Sequence, residues 1–143
     1  MIDAQRLFSD AQAVVVTIDS TTTIDLGALV DDRGTALTDR HGTISDMWVY
    51  AIVNTAFTGG TNIVPKMQDS SDDSTFADVP EVVNAAVVLA DLDAIGDVLL
   101  KIKLPKNVKR YIKLVYTVTG TMSAGKIDAG LAYSWHLPRV LLP

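Results

Sequence analysis

Between residues 97 and 134 apolar and polar side chains alternate in three runs separated by little more than turn chemistry. In the first run Val98, Leu100, Ile102 and Leu104 share one parity, and Leu99, Lys101 and Lys103 the other. In the second, Ile112, Leu114, Tyr116 and Val118 oppose Lys109, Tyr111, Lys113, Thr117 and Thr119. In the third, Ile127, Ala129, Leu131 and Tyr133 oppose Lys126, Asp128, Gly130 and Ser134. A period of two is that of a half-buried strand. The breaks at Pro105-Lys106-Asn107 and at residues 120 to 125 are rich in turn formers, so the spacing predicts an antiparallel β-meander.

The remainder of the chain reads in the same terms. Val14, Val16 and Ile18 predict a strand over residues 13 to 18, and a short second strand is expected over 23 to 26. Residues 27 to 46 are polar and form the longest expected loop. Residues 47 to 57 are apolar on both parities, with Trp48, Tyr50 and Ile52 on one and Met47, Val49, Ala51 and Val53 on the other; this suits a central strand. Trp48, Tyr50, Tyr116 and Tyr133 all fall on parities expected to face the core. Gly59-Gly60 turns the chain into residues 62 to 68, where Pro65 argues for an edge strand because it cannot donate to a ladder. A hairpin tip is expected at residues 69 to 74, and a strand over 81 to 89 followed by a helical turn at 91 to 95. About eight strands without a long helix predict an all-β, two-sheet antiparallel β-sandwich of jelly-roll type. Residues 1 to 11 read as a short N-terminal arm, 12 to 134 as the sandwich and 135 to 143 as a C-terminal tail. Deleting the arm is expected to leave the sandwich folded.

Composition changes this picture little. A chain of 143 residues suits one domain, and 48% apolar residues with 14 threonines suit sheet. The chain has no cysteine, so neither a disulfide nor a thiolate metal site can form. Its longest uninterrupted apolar run is seven residues, 47 to 53, against the roughly 20 of a membrane-spanning helix, so a soluble protein without a membrane partner is expected. Charge adds more. Residues 1 to 97 carry 16 acids and 4 bases, net −12, whereas residues 98 to 143 carry 1 acid and 8 bases, net +7. Either basic strands lie beside acidic strands of the same sheet, or a basic patch meets an acidic partner.

Candidate chemistry is sparse. Gly120-Thr121-Met122-Ser123-Ala124-Gly125-Lys126 has the glycine and lysine spacing of a phosphate loop, but Ile127 stands where a Mg²⁺-binding hydroxyl belongs and a strand follows instead of a helix. A hairpin loop is the better reading. His41 and His136 are the only histidines, too few for a histidine-rich zinc set. Asp69, Asp72 and Asp73 lack the glycine and distal glutamate of a calcium loop. Lys101, Lys103, Lys106, Lys109, Arg110 and Lys113 around Tyr111 are weak support for nucleic acid, given an acidic chain overall. No enzyme, cofactor, metal or nucleic-acid role is therefore expected. A carbohydrate- or receptor-binding module is the alternative reading, resting on Trp135 and Tyr111.

Residues 96 to 105, 108 to 121 and 124 to 132, together with Leu7-Phe8-Ser9-Asp10-Ala11-Gln12-Ala13-Val14 and the Asp-Ser-rich stretch 68 to 76, resemble the jelly-roll cement, or head decoration, proteins of certain short-tailed phages. The resemblance implies a non-enzymatic virion protein on the outer surface of the capsid. It would bridge neighbouring major capsid protein subunits and associate with itself as a dimer or trimer. On that reading the contact candidates are Ile2, Leu7 and Phe8 in the arm, Lys109, Arg110 and Lys113 on the basic edge, and Trp135, His136 and Arg139 in the tail.

Overall fold

The computed structural model describes residues 6–28, 30, 33–37, 47–83 and 85–133. Ten strands run through them: β1 (Leu7–Ala13), β2 (Ile18–Asp19), β3 (Ile24–Asp25), β4 (Met47–Gly59), β5 (Asn62–Ser70), β6 (Ala77–Val83), β7 (Val87–Val88), β8 (Val98–Lys103), β9 (Tyr111–Thr119) and β10 (Met122–Tyr133). They form two antiparallel sheets, one ordered β1-β10-β4-β8 and the other β2-β9-β5-β6, with β3 also on β9 and β7 also on β5. Both β2 with β3 and β6 with β7 act as single interrupted strands, since each pair lies along one neighbour. Eight strands in this order are a jelly roll, as expected.

The three alternating runs near the C-terminus are strands, but they are not a meander. β8 and β10 flank β4 in one sheet, while β9 lies between them in sequence and belongs to the other sheet. Alternation dictates which parity is buried, and every strand of a sandwich buries one parity whichever sheet it joins. Spacing alone therefore could not assign the sheet. The turn at Gly120-Thr121 crosses from one sheet to the other instead of closing a hairpin within one.

Near the N-terminus the expected strand over residues 13 to 18 is displaced. Strand β1 ends at Ala13, and residues 14 to 17 carry the chain across to β2. Val14 is buried, while Val15, Val16 and Ile18 are exposed. Residues 7 to 11, read as part of an arm, are the body of β1 and pair with β10 through Leu7↔Gly130 and Ser9↔Ala129. Phe8 is fully buried in the main core.

Pro65 also sits differently from expectation. β5 is an interior strand with β9 on one side, where Pro65 lies opposite Tyr116. On its other side the pairings jump from Ile63↔Val87 to Lys66↔Val83. Pro65 occupies the gap between β7 and β6, a place where a missing donor costs no ladder bond. The helical turn is a single 3₁₀ turn at Leu89–Asp91, just before the stretch where it was expected.

Between the sheets lies one core, including Phe8, Val49, Phe57, Ile63, Ile112 and Leu131. The parity of β4 that faces it is Met47, Val49, Ala51 and Val53. Trp48, Tyr50 and Ile52 point the other way and form a second small cluster with Ala132 on the outer face of that sheet. Thus only Tyr116, of the aromatics expected in the core, joins the main cluster among the described side chains. Inside, the Ser9 hydroxyl lies 2.8 Å from the Tyr116 hydroxyl and donates to Gln12 Oε1 at 2.6 Å, linking β1 to β9 across the sheets.

The pairing also sorts the connections into two ends. Met122 lies opposite Gly59, and Tyr133 opposite Met47. The links β1–β2, β4–β5, β7–β8 and β9–β10 therefore gather at one end, and β3–β4, β5–β6 and β8–β9 at the other. At the first end the two glycine turns nest. A Cβ on Gly120 would stand 2.9 Å from Gly60 Cα, and Gly60 itself has φ +72°. Only residues without a side chain allow that approach.

Candidate functional site

Three surfaces carry the residues singled out by sequence. On the outer face of the β2-β9-β5-β6 sheet the alternating register places Lys113, Gln68 and Asp78 in one row, with Asp19 and Lys66 on the same face in the next. Lys113 Nζ donates to Asp19 Oδ2 at 2.7 Å and sits 4.4 Å from the centroid of Phe76. Gln68 Nε2 donates to Asp78 Oδ1 at 2.7 Å, and Lys66 Nζ to Asp78 Oδ2 at 3.2 Å. The Gln68 amide first, and then Lys66, lower the Asp78 carboxyl below the usual carboxylate range. These rows are satisfied within the chain.

Arg110, just before β9, makes a two-point contact with Asp25 at the end of β3: Nε to Oδ1 at 2.8 Å and Nη2 to Oδ2 at 2.9 Å. The bidentate geometry raises the Arg110 pKa, chiefly through the hydrogen bonds to Asp25. Its guanidinium also stacks 5.0 Å from the Tyr111 ring centroid, so one face of that half-buried aromatic is already occupied. The Lys109 backbone N–H donates to Asp69 Oδ2 at 3.0 Å while its side chain is exposed. Of the two readings of the charge asymmetry, internal pairing is the one that Arg110 and Lys113 follow. Lys103, Lys106 and the Lys109 side chain make no ion pair among the described residues, and they gather at the β8–β9 link.

The second surface is the outer face of the β1-β10-β4-β8 sheet. Tyr50 and Ala132 are buried there, with Trp48 and Ile52 against them. Lys101 Nζ lies 5.8 Å from the Trp48 ring centroid. Burial, followed by the negative charge of Asp128, pushes the Tyr50 phenol up to about 12. Asp128 itself accepts from the Ala11 N–H at 2.6 Å and from Asn54 Nδ2 at 2.8 Å, tying β1 and β4 to β10.

The third is the β5–β6 tip, which forms the expected hairpin. The Asp72 carboxylate accepts from the N–H groups of Thr75 and Ser74 and from Ser70 Oγ. Those bonds, the Thr75 N–H foremost, hold it down to about 2. Its Oδ1, which accepts all three bonds, closes a turn. Among the described residues no group of three or more metal-ligating side chains is assembled, and no helix is long and apolar enough to cross a membrane.

Of the contact candidates, the structure thus places Phe8 inside the core, Leu7 half-buried beside Gly130, and Arg110 and Lys113 in internal ion pairs. Ile2, Trp135, His136 and Arg139 lie outside the described residues, as does His41. A family model described as Bbp16 matches residues 8–131. The chain belongs to the Bbp16 family. The Bbp16 match begins inside β1 and ends inside β10, so what the family shares with this chain spans the whole jelly roll instead of a local motif. No curated protein matches the chain.

Periodicity did not single out Val15, Val88 and Ile95 and placed Val16 on the apolar parity of a strand; all four are exposed on links or at strand ends. Ile95 is legible in retrospect as an isoleucine flanked by Asp91, Asp93 and Asp97.

Proposed function

We propose that this chain is a structural virion protein that decorates a phage capsid on its outer surface and cements it by bridging neighbouring major capsid protein subunits. The observation that carries this reading is the Bbp16 match across the entire jelly roll, from β1 to β10. The family name fits a phage protein, and the runs that resemble phage cement proteins include β1, the β5–β6 tip and the strands β8, β9 and β10 of both sheets.

Physical features support the same reading. The sandwich is fastened across its sheets by the Ser9–Tyr116 contact and along them by charged rows, which suits a rigid spacer between subunits. Cement acts by area and multiplicity, since many modest contacts acting together outlast any one of them. The mechanism is burial of surface across a seam of the shell, with self-association as a dimer or trimer setting the geometry of the bridge.

The test is direct. Purified protein is mixed with undecorated heads of the phage that encodes it, and occupancy is followed by sedimentation and imaging. Saturable decoration at symmetry-related positions, with a higher temperature of head disruption, is the expected result. Heads that remain bare at micromolar protein would refute the cement role.

A further inference from the structure

From Asp91 to Lys103 the exposed side chains change character in one direction: Asp91 and Asp93, then Ile95 and Val98, then Lys101 and Lys103. The fold lays this stretch along one margin of the β1-β10-β4-β8 sheet, beside β4. The buried Leu92, between the two acids, accepts from the Phe57 N–H at 3.0 Å. Gly96, next to Ile95, donates to Val53 O at 2.8 Å, and Val98 lies opposite Ile52. Lys103 lies opposite Trp48. Ile52 and Val53 stand midway between Trp48 and Phe57 on β4, so the apolar pair is at the centre of the stripe, with acids at one end and lysine at the other. At about 3.3 Å per residue the two ends are roughly 30 Å apart.

Asp91, Asp93 and Lys103 are exposed and make no ion pair among the described residues. Asp97 differs, since its Oδ2 accepts from the Ala94 N–H at 2.9 Å and shapes the link. At the centre Ile95 is 79% exposed and Val98 41%. A stripe in this order is complementary to itself when reversed. Laid against a copy running the same way, it sets acid on acid and lysine on lysine, which is costly. Turned through 180°, it sets Asp91 and Asp93 against Lys103 at both ends and apolar against apolar in the middle. That operation is a two-fold axis through the centre, the symmetry of an isologous dimer.

We infer that this margin, from Asp91 through Ile95 and Val98 to Lys103, is where a second copy of the chain docks, about a two-fold axis beside Ile95 and Val98. The contact rests on the cement reading only for self-association, which it makes two-fold instead of three-fold. The strip is narrow, so association belongs to the micromolar range.

Sedimentation equilibrium of the full chain should therefore show a monomer–dimer equilibrium at micromolar concentration that weakens as salt rises. Lys103→Glu and Asp93→Lys should each weaken the dimer about tenfold and leave the melting temperature of the monomer unchanged, since both positions are exposed. An equimolar mixture of the two variants should restore association, because each reversed charge then meets its opposite at both ends. The chain has no cysteine, so Ile95→Cys supplies a lone thiol near the axis. A short bismaleimide should join two Ile95→Cys chains but not two Lys106→Cys chains, whose thiols lie at opposite ends of the dimer. A chain that stays monomeric or forms a trimer, variants that associate as the unmodified chain does, or a mixture that fails to recover would each overturn the two-fold contact. Heads decorated by a monomeric chain would overturn it while leaving the cement reading standing. A dimer with the expected properties beside heads that stay bare would support the contact and overturn the cement role.

Discussion

Gly125 lies within β10 at φ +144°, and a Cβ there would stand 2.1 Å from Phe57 Cδ1. The Phe57 ring fills the place of a side chain. Gly125→Ala should lower stability by roughly 2–4 kcal/mol, combining overpacking with an unfavourable φ, and denaturant unfolding would measure it. A loss under 0.5 kcal/mol would mean the ring moves away freely. Asp72 makes a second residue-scale case. Its carboxyl is held at about 2, below the ordinary value of about 3.9, so its contribution is present above that ordinary value and lost as pH falls through the lower one. Amide exchange at Ser74 and Thr75 should stay slow down to about pH 3 and quicken toward 2 in the native protein. Asp72→Ala should quicken it above about pH 3 and make little difference near pH 2; unchanged exchange at the higher pH would show that the tip holds without the carboxylate.

At the scale of elements, sequence spacing identified the strands well where one parity is buried against a core. β9 and β10 follow their expected parities, β4 buries the parity opposite to that of Trp48 and Tyr50, and the β5–β6 tip falls where Asp and Ser cluster. The spacing misled where the backbone does something that side chains do not record. Leu99 and Leu100 are both buried because β8 is bulged between its Ala51↔Leu100 and Ile52↔Val98 pairings, a shift that alternation cannot show. Pro65 resembled an edge marker because a gap in the neighbouring strand supplies the same relief as an edge. The charge asymmetry was legible, but its use was not: only geometry shows that Arg110 meets Asp25, 85 residues away. This pair is exposed, with 42% and 46% of its side chains accessible, so its worth is small. Arg110→Ala should lower the melting temperature only slightly, and less in high salt, by thermal melting at two ionic strengths. A larger loss, independent of salt, would point to packing of the guanidinium on Tyr111 as its main contribution.

For the whole molecule, the N-terminal segment changes meaning. Removal of residues 1 to 11 should weaken the sandwich instead of leaving it intact, because it strips most of β1 and the buried Phe8. Loss of Phe8 alone costs about 3–5 kcal/mol in a typical core, and the cut also opens the edge of β10. The truncated chain should melt well below the full protein and aggregate on warming, whereas removal of residues 1 to 5 should leave β1 in place. Circular dichroism and light scattering of the two truncations would decide this; equal melting temperatures would show that β1 is dispensable.

The pairing of β1 with β10 also governs when this chain can fold. Leu7 finds its partner only at Gly130, and of the successive full-length strands only β5 and β6 are joined as a simple hairpin within one sheet. Such long-range closure is slow, because the entropy of ordering the intervening chain precedes the reward. During synthesis the first sheet lacks its second member until the last strand leaves the ribosome. Each copy must therefore commit as a finished unit, and a chain interrupted anywhere before β10 yields no partly closed sandwich, only an unclosed edge.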